Sequence, residues 1–150
     1  MKKKKIAIAS DHAGYYMKNK VLDYLLNEDY EVKDFGCFSE DSVDYPDYAH
    51  PMSDAVSSGE FDLGISICGS GNGINMTANK HQGIRSALCW NEEISRLARA
   101  HNDANICALP GRFIDGDTAL KIVETFLETD FSGGRHTVRV NKIPIHKNVR

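Results

Sequence analysis

Five short apolar runs, each followed by a stretch of helical periodicity, predict an α/β fold with a five-stranded, mostly parallel sheet between two layers of helices. Two further observations support that class. Parallel neighbours need crossover connections of a dozen or more residues, and the spacing of the runs provides them. The runs also stop at polar or glycine-rich pairs, as strands do where a chain turns into a helix.

The first strand is read over Lys5–Ser10 and stops at Asp11-His12. Helix one follows, with Met17, Val21, Leu22, Leu25 and Leu26 at helical spacing. A weaker strand over Glu31–Phe35 closes at Gly36. The acidic, turn-rich stretch from Cys37 to Pro46 reads as a loop. A helix over Tyr48–Ser58 places Pro51 in its first turn, because a proline further in removes a backbone donor. Leu63–Cys68 is the clearest strand, and it runs into Gly69-Ser-Gly-Asn-Gly73 and a short helix over Ile74–Asn79. Arg85–Cys89 is the fourth strand. Ile94, Leu97, Ala98 and His101 form the stripe of helix four. Ile106–Leu109 is the fifth strand, ended by Pro110-Gly111, and Ala119, Ile122, Val123 and Phe126 mark helix five. Phe131–Arg150 reads as a basic tail opened by Gly133-Gly134.

A length of 150 residues is that of one domain, expected to span 1–150. With 41% apolar and 26% charged residues, the composition is that of a globular chain and excludes disorder. Lys and Arg number 18 against 21 Asp and Glu, a net charge of −3, which argues against a general nucleic-acid binder. No apolar run approaches the ~18–20 residues of a membrane span. The basic start leads only to Ile6–Ala9, too short for a signal peptide, so a cytoplasmic location is expected. Cys37, Cys68, Cys89 and Cys107 form no Cys-x-x-Cys pair, so zinc-ribbon and thioredoxin readings lose their support. Cys37, Cys89 and Cys107 read as buried or semi-buried free thiols of a reducing compartment.

In sheets of this kind ligands bind beyond the carboxyl ends of the strands. Asp11-His12, Cys68 with its glycine loop, and Arg112 should therefore share one edge. Gly69, Gly71 and Gly73 let the backbone come close to a ligand and aim several N–H groups at one point, which suits a phosphate or a developing oxyanion. The loop is not a dinucleotide fingerprint, since Ile74 stands where the third glycine would fall, and no Gly-Lys-Ser/Thr follows as in a Walker A loop. Cys68 at the mouth of this loop is expected to have a lowered pKa and to serve as nucleophile or base, with a core cysteine ending a buried strand as the competing reading. Ile74 also stands where a Cys-x5-Arg phosphatase needs arginine. His101 on the apolar stripe of helix four reads first as a packed residue. His12, at a strand end, is as well placed for a ligand as for a structural bond. His50, His81, His136 and His146 read as surface, and Arg96 and Arg99 as a solvated face. Arg135 and Arg139 would share one face if the tail is helical there, able to hold a phosphate together. No His, Asp and Glu grouping has metal-ligand spacing.

Taken together, Ser10-Asp-His-Ala-Gly14, Asp44-Tyr-Pro46, Gly64-Ile-Ser-Ile-Cys-Gly-Ser-Gly-Asn-Gly73, Ala78-Asn-Lys80, Arg85-Ser-Ala-Leu-Cys89, Ala98-Arg-Ala-His-Asn-Asp-Ala-Asn105 and Gly133-Gly-Arg-His136 with Arg139 are familiar. The chain resembles the type B ribose-5-phosphate isomerases of the ribose/galactose phosphate isomerase family, in family order over nearly its whole length. The resemblance implies a Rossmann-like α/β/α domain that interconverts an aldose phosphate and a ketose phosphate without metal or other cofactor. It implies Cys68 as the base, with the loop amides of Gly69, Gly71, Asn72 and Gly73 holding the enediolate oxygen and Ser70 supplying a hydroxyl where the family more often has threonine. His101 would help open the sugar ring, and Asp11 and Asn102 would orient hydroxyls. His12, Arg112, Arg135 and Arg139 match phosphate-binding positions, and Tyr45 lines the sugar site. Pro110 departs from the family's more flexible residue and bears on the placement of Arg112. The family assembles as dimers or larger, so the resemblance implies a homodimer or homotetramer with sites shared between subunits and the tail 131–150 packed on a neighbour.

On this reading the partner is a small sugar phosphate, with no nucleic acid and no membrane, within the non-oxidative pentose phosphate pathway. The alternatives are an isomerase preferring a six-carbon sugar phosphate such as allose 6-phosphate or galactose 6-phosphate, a non-catalytic sugar-phosphate-binding domain on the same fold, and a thiol phosphatase, against which Ile74 stands.

Overall fold

The computed structural model describes residues 2–145. His146 and the end of the expected tail lie outside the described residues. Among the described residues there are five strands, six α-helices and one 3₁₀ turn: β1 (Lys5–Ser10), the turn His12–Gly14, α1 (Tyr15–Asn27), β2 (Glu31–Asp34), α2 (Tyr45–Ser57), β3 (Leu63–Cys68), α3 (Asn72–Ala78), β4 (Ser86–Leu88), α4 (Glu92–Asn102), β5 (Ile106–Pro110), α5 (Gly116–Glu128) and α6 (Arg135–Asn141). The strands form one parallel sheet in the order β2-β1-β3-β5-β4.

Side-chain alternation along the strands divides the core in two. Ile6, Ile8, Ile65, Ile67, Cys107 and Leu109 face Val21 and Leu25 of α1, Ala98 of α4, and Ile122, Val123 and Phe126 of α5. Ala7, Ala9 and Ile106 face Met52, Ala55 and Val56 of α2 and Ala78 of α3. Cys68 and Ala108 share this second side with Ala49 and Ile74. The small residues there let α2 and α3 approach closely: a β-carbon on Gly64 would sit 3.0 Å from the Ile106 side chain and 3.3 Å from Val56.

The chain leaves β1 through α1 on one face and leaves β3 through α3 on the other. Neighbouring strands whose connections depart to opposite faces open a crevice at their carboxyl ends. Here that crevice lies between Asp11-His12 and Cys68-Gly69.

Three differences from the expected elements have physical causes. Helix α2 begins at Tyr45, three residues early, with Pro46 in its first turn, so Pro51 lies inside the helix. Its ring denies the Asp47 carbonyl its usual donor, and Pro51 is on the exposed side of the helix, where water can replace that bond. The tail is helical over Arg135–Asn141 and packs against α4. Leu26 is half exposed, while Lys18 is buried at 1% exposure. Lys18 places its ammonium 2.6 Å from Asp34 Oδ2, with the Tyr15 and Phe38 rings beside it.

Candidate active site

At the carboxyl edge, the Asp11 N–H donates to the Ile67 carbonyl at 3.3 Å, and Asp11 Oδ1 accepts from the Gly14 N–H at 3.1 Å. The carboxylate thus caps the turn His12–Gly14 while remaining beside the end of β3. Gly14 has no alternative: a β-carbon there would lie 2.5 Å from the Ile67 oxygen. His12 follows, and its Nδ1 accepts the Val43 N–H at 3.1 Å. A neutral imidazole that accepts at Nδ1 carries its proton at Nε2, so His12 offers an N–H outward.

Cys68 ends β3 with 4% of its surface exposed, among Ala49, Ile74 and Ala108. Its carbonyl takes the Gly111 N–H at 2.9 Å, and the Gly69 carbonyl takes the Arg112 N–H at 3.0 Å. These two bonds fix the loop after β5 against the loop after β3. Pro110 pairs in register with Cys68 inside the strand, and Arg112 follows with its guanidinium over Gly69: a β-carbon on Gly69 would lie 3.3 Å from Arg112 Nη1. Proline at 110 has therefore left Arg112 on the glycine loop. Gly71 has φ +77°, which glycine takes without strain. Asn72 donates its N–H to Ser70 Oγ at 3.2 Å, while the N–H groups of Ser70 and Gly71 have no hydrogen-bond partner among the described residues. Tyr45, at the start of α2, lays its ring on Gly73, where a β-carbon would come within 2.4 Å of it. Asp11, His12, Tyr45, Cys68, Ser70, the three glycines, Asn72 and Arg112 thus share one edge.

The other expected residues do not join them. Helix α4 runs back from the end of β4, so His101 and Asn102 in its last turn lie at the amino edge of the sheet. Asn105, just beyond, accepts the Gly64 N–H at its carbonyl and the Arg85 N–H at Oδ1, both at 2.8 Å, near the starts of β3 and β4. The Ser132 N–H donates to the Ala100 carbonyl at 2.9 Å, which brings the tail to the same corner. There α6 carries Arg135 and Arg139 one turn apart, both exposed. The rings of His101 and His136 stack at 4.2 Å and 13°. Partial dehydration, and then the positive charge of His101, Arg135 and Arg139, hold the His136 imidazole below its ordinary value.

His136 is therefore not the isolated surface residue the sequence suggests; its position beside Arg135 is the signal that points to this corner. Nor does Arg99 belong to a solvated face. It is 7% exposed and bonded to three backbone or carboxylate oxygens, whereas Arg96 is exposed and pairs with Glu93. His50 and His81, also expected as isolated surface, meet at 2.7 Å, with His81 on Asp54 at 2.9 Å. Among the described residues, no group of three or more His, Cys, Asp and Glu side chains is placed to hold a metal ion, and no helix is long and apolar enough to cross a membrane.

The sequence profile of the ribose/galactose isomerase family matches residues 6–143. The chain belongs to the ribose/galactose isomerase family. Ribose-5-phosphate isomerase B of Escherichia coli is 41% identical to this isomerase over 140 residues, covering 93% of this chain and 94% of that one. Among solved structures, a ribose 5-phosphate isomerase from Thermotoga maritima superposes with a TM-score of 0.92 at 54% identity, covering 93% of this chain and 97% of its own. Ribose-5-phosphate isomerase B from Mycoplasma genitalium, solved with bound ribulose-5-phosphate, gives 0.89 at 41% identity and 93% coverage of both chains. Membership makes this chain an enzyme of the isomerase class, and the non-catalytic reading is set aside.

Proposed function

We propose that this isomerase interconverts ribose 5-phosphate and ribulose 5-phosphate in a site assembled from two copies of the chain. The observation that carries the proposal is the division of the matched residues between opposite edges of one sheet. Asp11, His12, Tyr45, Cys68 to Gly73 and Arg112 stand at one edge, and His101, Asn102, Arg135 and Arg139 at the other. A second copy set head to foot, as a homodimer or within a homotetramer, brings the two sets together across one crevice.

In that crevice the Cys68 thiolate removes the proton from the second carbon of the open-chain aldose. The C–H electron pair becomes the carbon–carbon double bond, and the carbonyl pair moves to oxygen, giving the enediolate. The same thiol returns the proton to the first carbon, and the hydroxyl proton of the second carbon passes to the oxygen of the first, leaving the ketose. The unpartnered N–H groups of Ser70 and Gly71 support the reading of this loop as the cradle for the charged oxygen, and each such donor is typically worth about 2.7–4 kcal/mol. His101 moves the proton that opens the ring. Asp11 and Asn102 orient hydroxyls, and Tyr45 walls the sugar. The Nε2 proton of His12 and the guanidinium groups of Arg112, Arg135 and Arg139 hold the phosphate, which orients the chain of carbons and separates binding from proton transfer. The bound ribulose-5-phosphate of the Mycoplasma genitalium structure favours the five-carbon substrate and, with it, a place in the non-oxidative pentose phosphate pathway of the cytoplasm.

The test is a coupled assay of ribose 5-phosphate and allose 6-phosphate with the wild type and Cys68→Ala. Expected are a higher kcat/KM on the ribose and loss of nearly all turnover in the variant with phosphate affinity kept. Equal turnover in Cys68→Ala would remove the base from the scheme, and a preference for allose 6-phosphate would reassign the substrate.

A further inference from the structure

We infer that Arg99, Asp103 and Arg85 form a positioning device that fixes His101 and Asn102 relative to Arg135 and Arg139. The inference rests on the two-copy site proposed above and adds residues to it.

Helix α4 ends at Asp103, which is left-handed with φ +48°. Glycine takes this conformation freely, and aspartate takes it less readily. What aspartate adds is a carboxylate with two cationic partners. Arg99 Nη1 lies 3.0 Å from Asp103 Oδ1, and Arg85 Nη2 lies 3.4 Å from Asp103 Oδ2. Arg99 has further bonds. Its Nη1 donates to the Ala104 carbonyl at 2.6 Å and its Nε to the Thr129 carbonyl at 3.2 Å. Thr129 follows α5 and opens the segment that leads into α6. One buried guanidinium therefore joins the turn after His101-Asn102 to the stretch that delivers Arg135 and Arg139. Arg85 holds the same turn to the sheet: its Nε donates to the Asp103 carbonyl at 2.9 Å, and its N–H donates to Asn105 Oδ1 at 2.8 Å. Charge-assisted bonds are in general stronger than neutral ones, and the planar guanidinium fixes their geometry.

All three residues act through others. None is at the carboxyl edge, where Cys68 and its loop stand. Because a displacement near 1 Å away from the chemistry can cost about a hundredfold in rate, Asp103→Asn and Arg85→Met are each expected to lower kcat by roughly 10- to 100-fold and to raise KM a few-fold. Asparagine tolerates the left-handed conformation, and Arg85 is half-buried at the edge of the device, so the second variant keeps the question open to measurement if the first does not fold.

The deciding experiment is subunit complementation, with melting midpoints recorded for every variant. Cys68→Ala and His101→Asn chains are co-expressed in equal amounts and assayed on ribose 5-phosphate. If sites form between two copies, the mixture recovers about a quarter of wild-type turnover, the share of intact sites in a random pairing. Asp103→Asn or Arg85→Met co-expressed with Cys68→Ala is expected to rise to that same level. Co-expressed with His101→Asn, each is expected to gain nothing beyond its own residual rate, because both lesions then fall in the same half-site. If Cys68→Ala and His101→Asn fail to complement, the two-copy reading falls and the inference falls with it. If they complement while Asp103→Asn and Arg85→Met keep full turnover, or complement His101→Asn, the two-copy reading stands and the positioning device does not.

Discussion

Single residues in this chain are set by what crowds or wets them. Cys107 is fully buried, and that burial, with Cys89 as its hydrogen-bond partner and neighbour, pushes its thiol well above the ordinary value. Such a thiol has little thiolate to offer. A native sample treated with an alkylating reagent at mild pH is expected to leave Cys89 and Cys107 unmodified in a peptide mass map, and modification of either at the rate seen in denaturant would contradict the packing described. His136 is the reverse case, an imidazole held below 6.5 by partial dehydration and by positive neighbours. The unfolded chain then takes up its proton at a higher pH than the folded chain does. Its contribution to stability is complete above 6.5 and is lost as the pH falls through the lower, folded value. His136→Asn is expected to flatten the decline of the melting midpoint between pH 7 and about 5; an unchanged slope would place that decline elsewhere. The burial of Cys107 agrees with its reading from the sequence as a buried free thiol. The His136 shift was not legible there, because the His101–His136 stack joins residues far apart in the chain.

Secondary elements were far more legible, because periodicity is local. β1 and β3 fall where alternating and continuous apolar runs place them, and the stripes of α1, α4 and α5 hold apart from Leu26. The starts of α2 and α6 were missed because helix starts depend on a proline or glycine whose role is decided by its neighbours. The glycine loop could be read as a loop, but not the contacts that require it. Gly73→Ala would bring a methyl group within 2.4 Å of the Tyr45 ring, and that ring is 37% exposed and free to swing away. Activity is therefore expected to fall by tenfold or more with the melting midpoint little changed. Gly71→Ala combines φ +77° with a methyl 2.4 Å from Leu88 Cδ1 and 3.1 Å from the Leu109 backbone. It is expected to cost stability as well, roughly 1–2 kcal/mol from the backbone alone. Denaturant unfolding of the two variants side by side checks the contrast. Lys18→Met tests a different join, between α1 and β2. It strips the partner from Asp34, which is 21% exposed and so not fully desolvated. The expected loss lies toward the low end of the roughly 3–5 kcal/mol for breaking a buried pair, with Asp34→Leu added in the same chain restoring part of it.

For the whole molecule, the sheet order and the direction of α4 matter most. The shared edge of Asp11, Cys68 and Arg112 follows from parallel strands and was visible beforehand. The opposite placement of His101 was not drawn from the sequence, although a helix returning from β4 to β5 must end where β5 begins. If turnover needs two copies, specific activity is expected to fall on dilution in step with the loss of assembled species measured by light scattering or sedimentation. Constant activity in a demonstrably monomeric sample would argue for a site complete in one chain.

The distance between those two edges also has an evolutionary reading. Damage at one edge of the sheet leaves the opposite edge of the same polypeptide sound. If the crevice spans two copies, as proposed above, each product of a gene duplication is free to decay at a different edge while the pair still assembles one working crevice. Division of labour between two dependent paralogues is thus a short mutational step from this architecture.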